Sequence, residues 1–194
     1  MPRARLVLLV LLSLFLFDCP IGTAADPVAV PAAPAGSGTE LVVRNRVRLQ
    51  LAGAEVVVAA ARKKAAAMGL AVNIAVVDDG GHLVAFVRMD KARPASGSTA
   101  MTKAVTAATF RQPTGPLPAN GEPDVLLNIS LQNAAAASGG KLTTLKGGVP
   151  IVVDGEVIGA VGVGGGSGEQ DAEVARAGIE AFAAELQKTA ASRD

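Results

Sequence analysis

Two tight turns, each set between apolar runs, constrain this chain more than any other feature. Ala71 to Val77 is rich in Val and Ile, Asp78-Asp79-Gly80-Gly81 is a turn sequence, and His82 to Met89 is a second run. The arrangement recurs where Ile151 to Val153 and Val157 to Val163 flank Asp154-Gly155. Asp-Gly is a favoured two-residue hairpin connection, because such turns need residues that tolerate positive φ. Two β-hairpins mean antiparallel pairing, which rules out a wound parallel sheet of the dinucleotide-binding kind. Leu83, Ala85 and Val87 alternate with Val84, Phe86 and Arg88, so both sheet faces call for at least partial cover.

Helical spacing supplies that cover. Leu51, Ala54, Val58, Ala61, Ala65 and Met68 fall three and four residues apart, and Gly69 follows as a helix-ending glycine. Ser98 to Phe110, with Gly97 or Ser98 as the cap, Val125 to Ala137 and Glu169 to Lys188 are three further predicted helices. Short strands are predicted at Leu41 to Leu49 and around Leu142 to Leu145. The order is strand, helix, hairpin, helices, hairpin, helix, which is an α+β domain.

The ends of the chain carry other information. Arg3 and Arg5 precede the apolar run Leu6 to Phe17, and Thr23-Ala24-Ala25 suits a small-residue cleavage site. Residues 1–25 are therefore expected to be a signal peptide, with export to the periplasm or beyond. The run is short of the roughly 20 residues that a bilayer requires. An uncleaved anchor and lipid attachment at Cys19 are the alternatives, although Leu16-Phe17-Asp18 suits a lipoprotein signal poorly. Cleavage would remove the only cysteine and leave 16 basic and 16 acidic residues of the original 18 and 17. The mature chain would then have no disulfide, thiol nucleophile or thiolate metal site. Residues 26–40, rich in Pro, Ala and Gly, read as a flexible linker, and 41–194 as one domain. With five Phe, no Trp and no Tyr, the chain lacks the rings of a base-stacking platform. Its net charge of +1 gives no field to draw nucleic acid, and after signal cleavage none to draw a membrane.

Several polar clusters could carry chemistry. His82, the only histidine, sits beside Asp78 and Asp79 at a hairpin edge. A proton relay or metal site and a simple local hydrogen bond are both open, but a histidine-rich zinc site is not. Arg88, Asp90, Lys91, Arg93, Ser96 and Ser98 crowd the stretch after that hairpin. Asp90 and Arg93 could pair locally, or the arginines could line a pocket for an anion. Arg44, Arg46 and Arg48 share one face, either solvated or anion-binding. Gly162 to Gly168 precedes Glu169-Gln170-Asp171, so the loop is either an anion cradle or a close-packed connection. It is not a P-loop, because no Gly-Lys-Ser/Thr follows. Asn128-Ile129-Ser130 is a formal glycosylation sequon within a predicted apolar helix and is read as chance.

Four segments together resemble one family: AVVDDGGHLVAFVRMDKARPAS from Ala75, KAVTAATFRQPT from Lys103, GGVPIVVDGEVIGAVGV from Gly147 and EQDAEVARAG from Glu169. In this order they are similar to the GlcG/HbpS-like family of haem-associated proteins, over roughly residues 49–188. The resemblance implies a profilin-like α/β/α sandwich around a five-stranded antiparallel sheet. It also implies homo-oligomers, often octamers built from dimers, and haem or tetrapyrrole binding with roles in haem sensing or redox-stress protection. In the haem-sensing branch a threonine after the second helix is linked to the iron, and Thr114 matches it here. Lys103, Arg93 and Arg111 are then candidates for propionate contacts, with His82 as a further candidate near the cofactor. Two other expectations stand beside an exported haem binder. One is an enzyme acting on a small organic acid, as family members near glycolate-utilisation genes suggest, with Asp78, Asp79, His82 and Arg93 in a cleft between protomers. The other is a structural oligomer.

Overall fold

In the computed structural model, which describes residues 46–118 and 121–192, the two hairpins are the centre of the architecture. Helix α1 (Leu51–Ala67) leads into β1 (Asn73–Asp78) and β2 (Leu83–Arg88). Helices α2 (Ser96–Phe110) and α3 (Val125–Ala137) follow, then β3 (Gly148–Val153), β4 (Glu156–Gly164) and α4 (Gly168–Ala191). The hairpins join through β1 and β4 to give a four-stranded antiparallel sheet in the order β2-β1-β4-β3. Asn73 faces Gly164 and Asp78 faces Gly159 across the central ladder. The fold is thus α+β with an antiparallel sheet flanked by helices.

Three sequence expectations need correction. The sheet of the described residues has four strands, not five. Residues 142–145 make no strand, because their polar backbone atoms are taken by side chains. The Thr143 amide donates to Thr106 Oγ1, the Leu145 amide to Thr143 Oγ1, and the Leu145 carbonyl accepts from Thr114. Residues 46–49 have no ladder partner and form a lead-in to α1, while 41–45, with the signal and the linker, lie outside the described residues. Arg46 from this lead-in faces Asp79 at 3.7 Å and Glu156 at 3.9 Å, one carboxylate from each hairpin.

Two helices cover one face of the sheet and one covers the other. Against α1 and α4 the sheet presents Ile74, Val76, Val161, Val163 and Ile151, all fully buried. Against α2 it presents Ala75, Val77 and Ala160, which meet Ala100, Ala104, Ala107 and Ala108. Glycine sets this second spacing. A Cβ at Gly162 would run into the Ala100 carbonyl and the Ala104 amide, and one at Gly148 into the Lys103 carbonyl. Since Gly148 and Gly162 are paired across β3 and β4, the helix backbone lies directly on the sheet there.

The helix ends follow local chemistry. Ser167 and Gln170 form a reciprocal capping box at the start of α4. Asp124 accepts from the Leu127 amide to begin α3, whose predicted bounds match those observed. Neither Gly97 nor Ser98 caps α2, because the helix starts earlier, after Ala95, and has no side-chain cap. Helix α3 stands apart from this order. Of its apolar side chains only Leu131 is buried, while Val125 is 69% and Leu126 76% exposed. Its Asn128 is tied to both backbone groups of Leu117 and to the Asp124 carbonyl, so the sequon asparagine serves a local clamp.

Candidate functional site

The buried stripe of α2 consists of small residues apart from Lys103. A lysine there has to find a carboxylate, since an unpaired buried charge costs several kcal/mol. It finds one 68 residues away. Lys103 Nζ donates to Asp171 Oδ2 at 2.7 Å and to the Val163 carbonyl at 2.8 Å. The two side chains are 5% and 1% exposed. Asp171 lies in the first turn of α4, and its Oδ1 accepts from the Gly166 amide at 2.9 Å. The glycine-rich loop is therefore an anion cradle whose anion is the protein's own carboxylate. The Ser167 amide, a second donor of that loop, is taken by Gln170.

This ion pair forms part of the wall of a cavity of about 350 Å³, to which Arg93, Ser96, Thr99 and Lys146 also contribute. Arg93 is exposed, and its guanidinium reaches the Gly165 carbonyl at 3.4 Å. Its own carbonyl accepts from the Asn73 carboxamide at 3.0 Å, which fastens the loop that carries it to β1. Lys146 pairs with Glu169 at 3.0 Å on the surface. The hydrogen bond from Lys146 holds the Glu169 carboxyl below its ordinary value.

Lys146 also borders a second cavity, of about 290 Å³, with Thr114, Gly148 and Arg176 on its walls. Thr114 is buried at the turn between α2 and α3. Its hydroxyl donates to the Leu145 carbonyl at 2.7 Å and accepts from the Gly148 amide at 2.8 Å. Those two bonds pin the segment after α2 to the start of β3. Four cationic side chains (Arg93, Lys103, Lys146 and Arg176) thus line two cavities that share Lys146. The geometry suits a ligand with separated carboxylates or phosphates.

The structure brings together three of the five residues singled out from the sequence. Arg93 and Lys103 line the first cavity and Thr114 the second. Lys103 is committed to Asp171 and offers at most one further N–H. Arg111 lies at the exposed, left-handed end of α2 with φ of 56°, and lines neither cavity. His82 lines neither as well, being 83% exposed in the first hairpin turn. There Asp78 Oδ1 accepts from the Gly80 and His82 amides at 2.9 and 2.8 Å, with the imidazole Nδ1 at 3.2 Å. Partial burial pushes the Asp78 carboxyl up, but these contacts outweigh it and hold the group below its ordinary value. No group of three or more His, Cys, Asp or Glu suited to a metal ion occurs among the described residues. Sequence reasoning missed Asp171, Lys146 and Arg176. The signal for Asp171 was the lone cation in an alanine stripe, which demanded a partner without naming it.

Comparison with known proteins bears on these features. A family model described as HbpS-like, haem degrading protein HbpS-like, matches residues 49–180. Protein GlcG of Escherichia coli K12 is 40% identical over 121 residues, which span 62% of this chain and 84% of that protein. The crystal structure of a double mutant of HbpS from Streptomyces reticuli superposes with a TM-score of 0.59 at 31% identity, covering 79% of this chain and 97% of that one. The crystal structure of a PduOC:heme complex superposes at 0.57 with 26% identity, covering 70% and 95%. The matched stretch contains both hairpins, α2 and the first half of α4, and with them Arg93, Lys103, Thr114, Lys146, Asp171 and Arg176. On the strength of that match, the chain belongs to the GlcG/HbpS-like family of haem-associated proteins.

Proposed function

We propose that this protein binds a haem-class tetrapyrrole through its carboxylates, as an exported homo-oligomer engaged in haem sensing or redox-stress protection. The observation that carries the reading is the pair of cavities joined at Lys146, with Arg93 at one end and Thr114 and Arg176 at the other. Arg93 can bind a carboxylate in bidentate fashion, and Lys146 can exchange its exposed Glu169 partner for a ligand anion at little cost. Lys103 contributes its remaining donor from a position fixed by Asp171. The likeness to a structure solved with haem supports the ligand class.

The residues fit the carboxylate edge of such a ligand better than its metal. Thr114 already uses its proton and one lone pair, so one lone pair remains for an iron. Haem, when bound, supplies the redox-active iron, whereas the chain's own residues anchor and orient. The exposed apolar side chains of α3 support self-association, since a contiguous apolar surface of this kind marks an interface.

Haemin titration of the chain, followed at the Soret band, tests this reading. A saturable shift is expected, weakened about tenfold by Arg93→Ala and again by Lys146→Ala, as for the loss of one charged hydrogen bond each. Thr114→Ala should alter the band position, and His82→Ala should leave it unchanged. A Soret response indifferent to Arg93, Lys146 and Thr114 would sink the assigned site.

A second reading rests on the cavity beside Lys103 taken alone. At about 350 Å³ it has the size for a small organic acid, with Arg93 and Lys103 as carboxylate partners. Turnover on such an acid that vanishes in Arg93→Ala, with no haemin response, would favour this enzyme over the tetrapyrrole binder.

A further inference from the structure

Asn73 is fully buried in β1, and its Oδ1 has no hydrogen-bond partner among the described residues. The orientation of the carboxamide is fixed by its other end, because Nδ2 donates to the carbonyls of Arg93 at 3.0 Å and Gly164 at 3.4 Å. Turning the amide over would set its oxygen against two carbonyl oxygens. The orphan acceptor is therefore a property of the site, and burying an acceptor without a donor is destabilising. Such a cost in a native fold calls for a reason.

Asn73 lies on the wall of an open groove between β2 and the start of α2, distinct from the two cavities above. The groove is about 880 Å³, with Leu83, Phe86, Met101, Gly97 and Arg88 on its sides. A methyl group on Gly97 would lie 3.4 Å from the tip of the Phe86 ring and 3.6 Å from Asn73 Oδ1. The oxygen and the tip of the Phe86 ring thus both lie close to the space over Gly97. Phe86 is 40% exposed and belongs to neither buried cluster, so its ring has room to swing outward. Leu83 is more than half exposed beside it, and Arg88 is exposed at the end of β2.

We propose that this groove is a second ligand site, for a small flat apolar molecule bearing an N–H or O–H donor and an anionic group. The donor meets Asn73 Oδ1, the flat body takes the place vacated by the Phe86 ring against Leu83 and Met101, and the anion pairs with Arg88. Three different features of one groove ask for these three properties. The site uses no residue of the cationic cavities, so it stands or falls separately from the haem reading.

Indole-3-acetate has all three features and serves as the probe. The chain has no Trp and no Tyr, so indole fluorescence reports the probe alone. Saturable binding is expected, weakened about tenfold by 1-methylindole-3-acetate, which lacks the donor, and by 3-methylindole, which lacks the anion. Gly97→Ala is the key variant. It places a methyl group between Phe86 and the oxygen at ordinary contact distances, and alanine favours a helix over glycine. It should abolish probe binding with thermal stability retained, and Arg88→Met should weaken the carboxylate probes but not 3-methylindole. Asn73 itself is less suited to substitution, since it also holds Arg93. Equal affinity for the methylated and unmethylated probes, binding untouched by Gly97→Ala, or no binding of indole-3-acetate would each overturn the proposal.

Discussion

The two faces of the sheet solve the same covering problem with opposite materials. Beneath α1 and α4 the strands supply Ile74, Val76, Ile151, Val161 and Val163, and the space is filled by branched side chains. Beneath α2 they supply Ala75, Ala160, Gly148, Gly162 and Gly164, and backbone meets backbone. Among the described residues the buried polar ones, Asn73, Ser96, Lys103, Thr106, Thr114 and Asp171, lie on or beside α2 or the segments it contacts. Close approach leaves no room for large apolar groups. It brings carbonyls and amides within reach of polar side chains, which can then be buried with partners. The branched face is held by side-chain packing, and the glycine face by close backbone contact that also positions donors and acceptors.

That contrast can be broken from the glycine side first. Gly162→Val should be the most damaging change, because the added carbons meet the Ala100 carbonyl and the Ala104 amide, which cannot move aside separately. A loss of more than about 4 kcal/mol is expected in urea unfolding, beyond ordinary overpacking. Asp171→Ala comes next, at about 3–5 kcal/mol, because it strands the Lys103 ammonium. Adding Lys103→Met to that variant should recover most of the loss, and a double-mutant cycle would measure how much. On the branched face, Ile74→Val should cost only about 0.5–1.5 kcal/mol, the price of one buried methylene group. A loss from Gly162→Val no larger than that from Ile74→Val would show that the helix backbone does not lie directly on the sheet at Gly162.

The smallest expected effect lies outside both faces, in the first hairpin turn. The Asp78 carboxyl is held below its ordinary value by the His82 and Gly80 amides and the His82 ring. A depressed carboxyl contributes stability that is complete above the unfolded value near pH ~4 and is lost as pH falls through the lower folded value. Asp78→Asn should therefore flatten the acid limb of the stability curve and leave the curve near pH 7 parallel to wild type.

The features legible in the sequence were those with a local cause. The hairpins showed because Asp79-Gly80 and Asp154-Gly155 interrupt apolar runs, and the helices because their spacing is periodic. Arg93 was visible in the crowd of polar residues after the first hairpin, and Lys103 only through the segment that resembles the family. What escaped notice depends on contacts far apart in sequence. Asp171 reads as an ordinary first-turn acid until Lys103, 68 residues earlier, lands on it. Residues 142–145 have strand-like composition, yet Thr106 and Thr114 capture their backbone before any strand can. The cost at Asn73 is invisible to any pattern, because it arises from which oxygen is left over once two carbonyls have taken the amide.

The central β1–β4 ladder also determines how the chain could be divided. Each hairpin is contributed whole by one half of the molecule, and the halves are joined covalently only through the loop from α2 to α3. A break in that loop severs no strand pairing. It yields two pieces, each with one hairpin, two helices and the sheet edge that pairs with the other. Lys103 travels with one piece and Asp171 with the other, so the buried ion pair forms only when they reunite. The central ladder and the buried ion pair are therefore both joins between the two halves, one through backbone and one through charge.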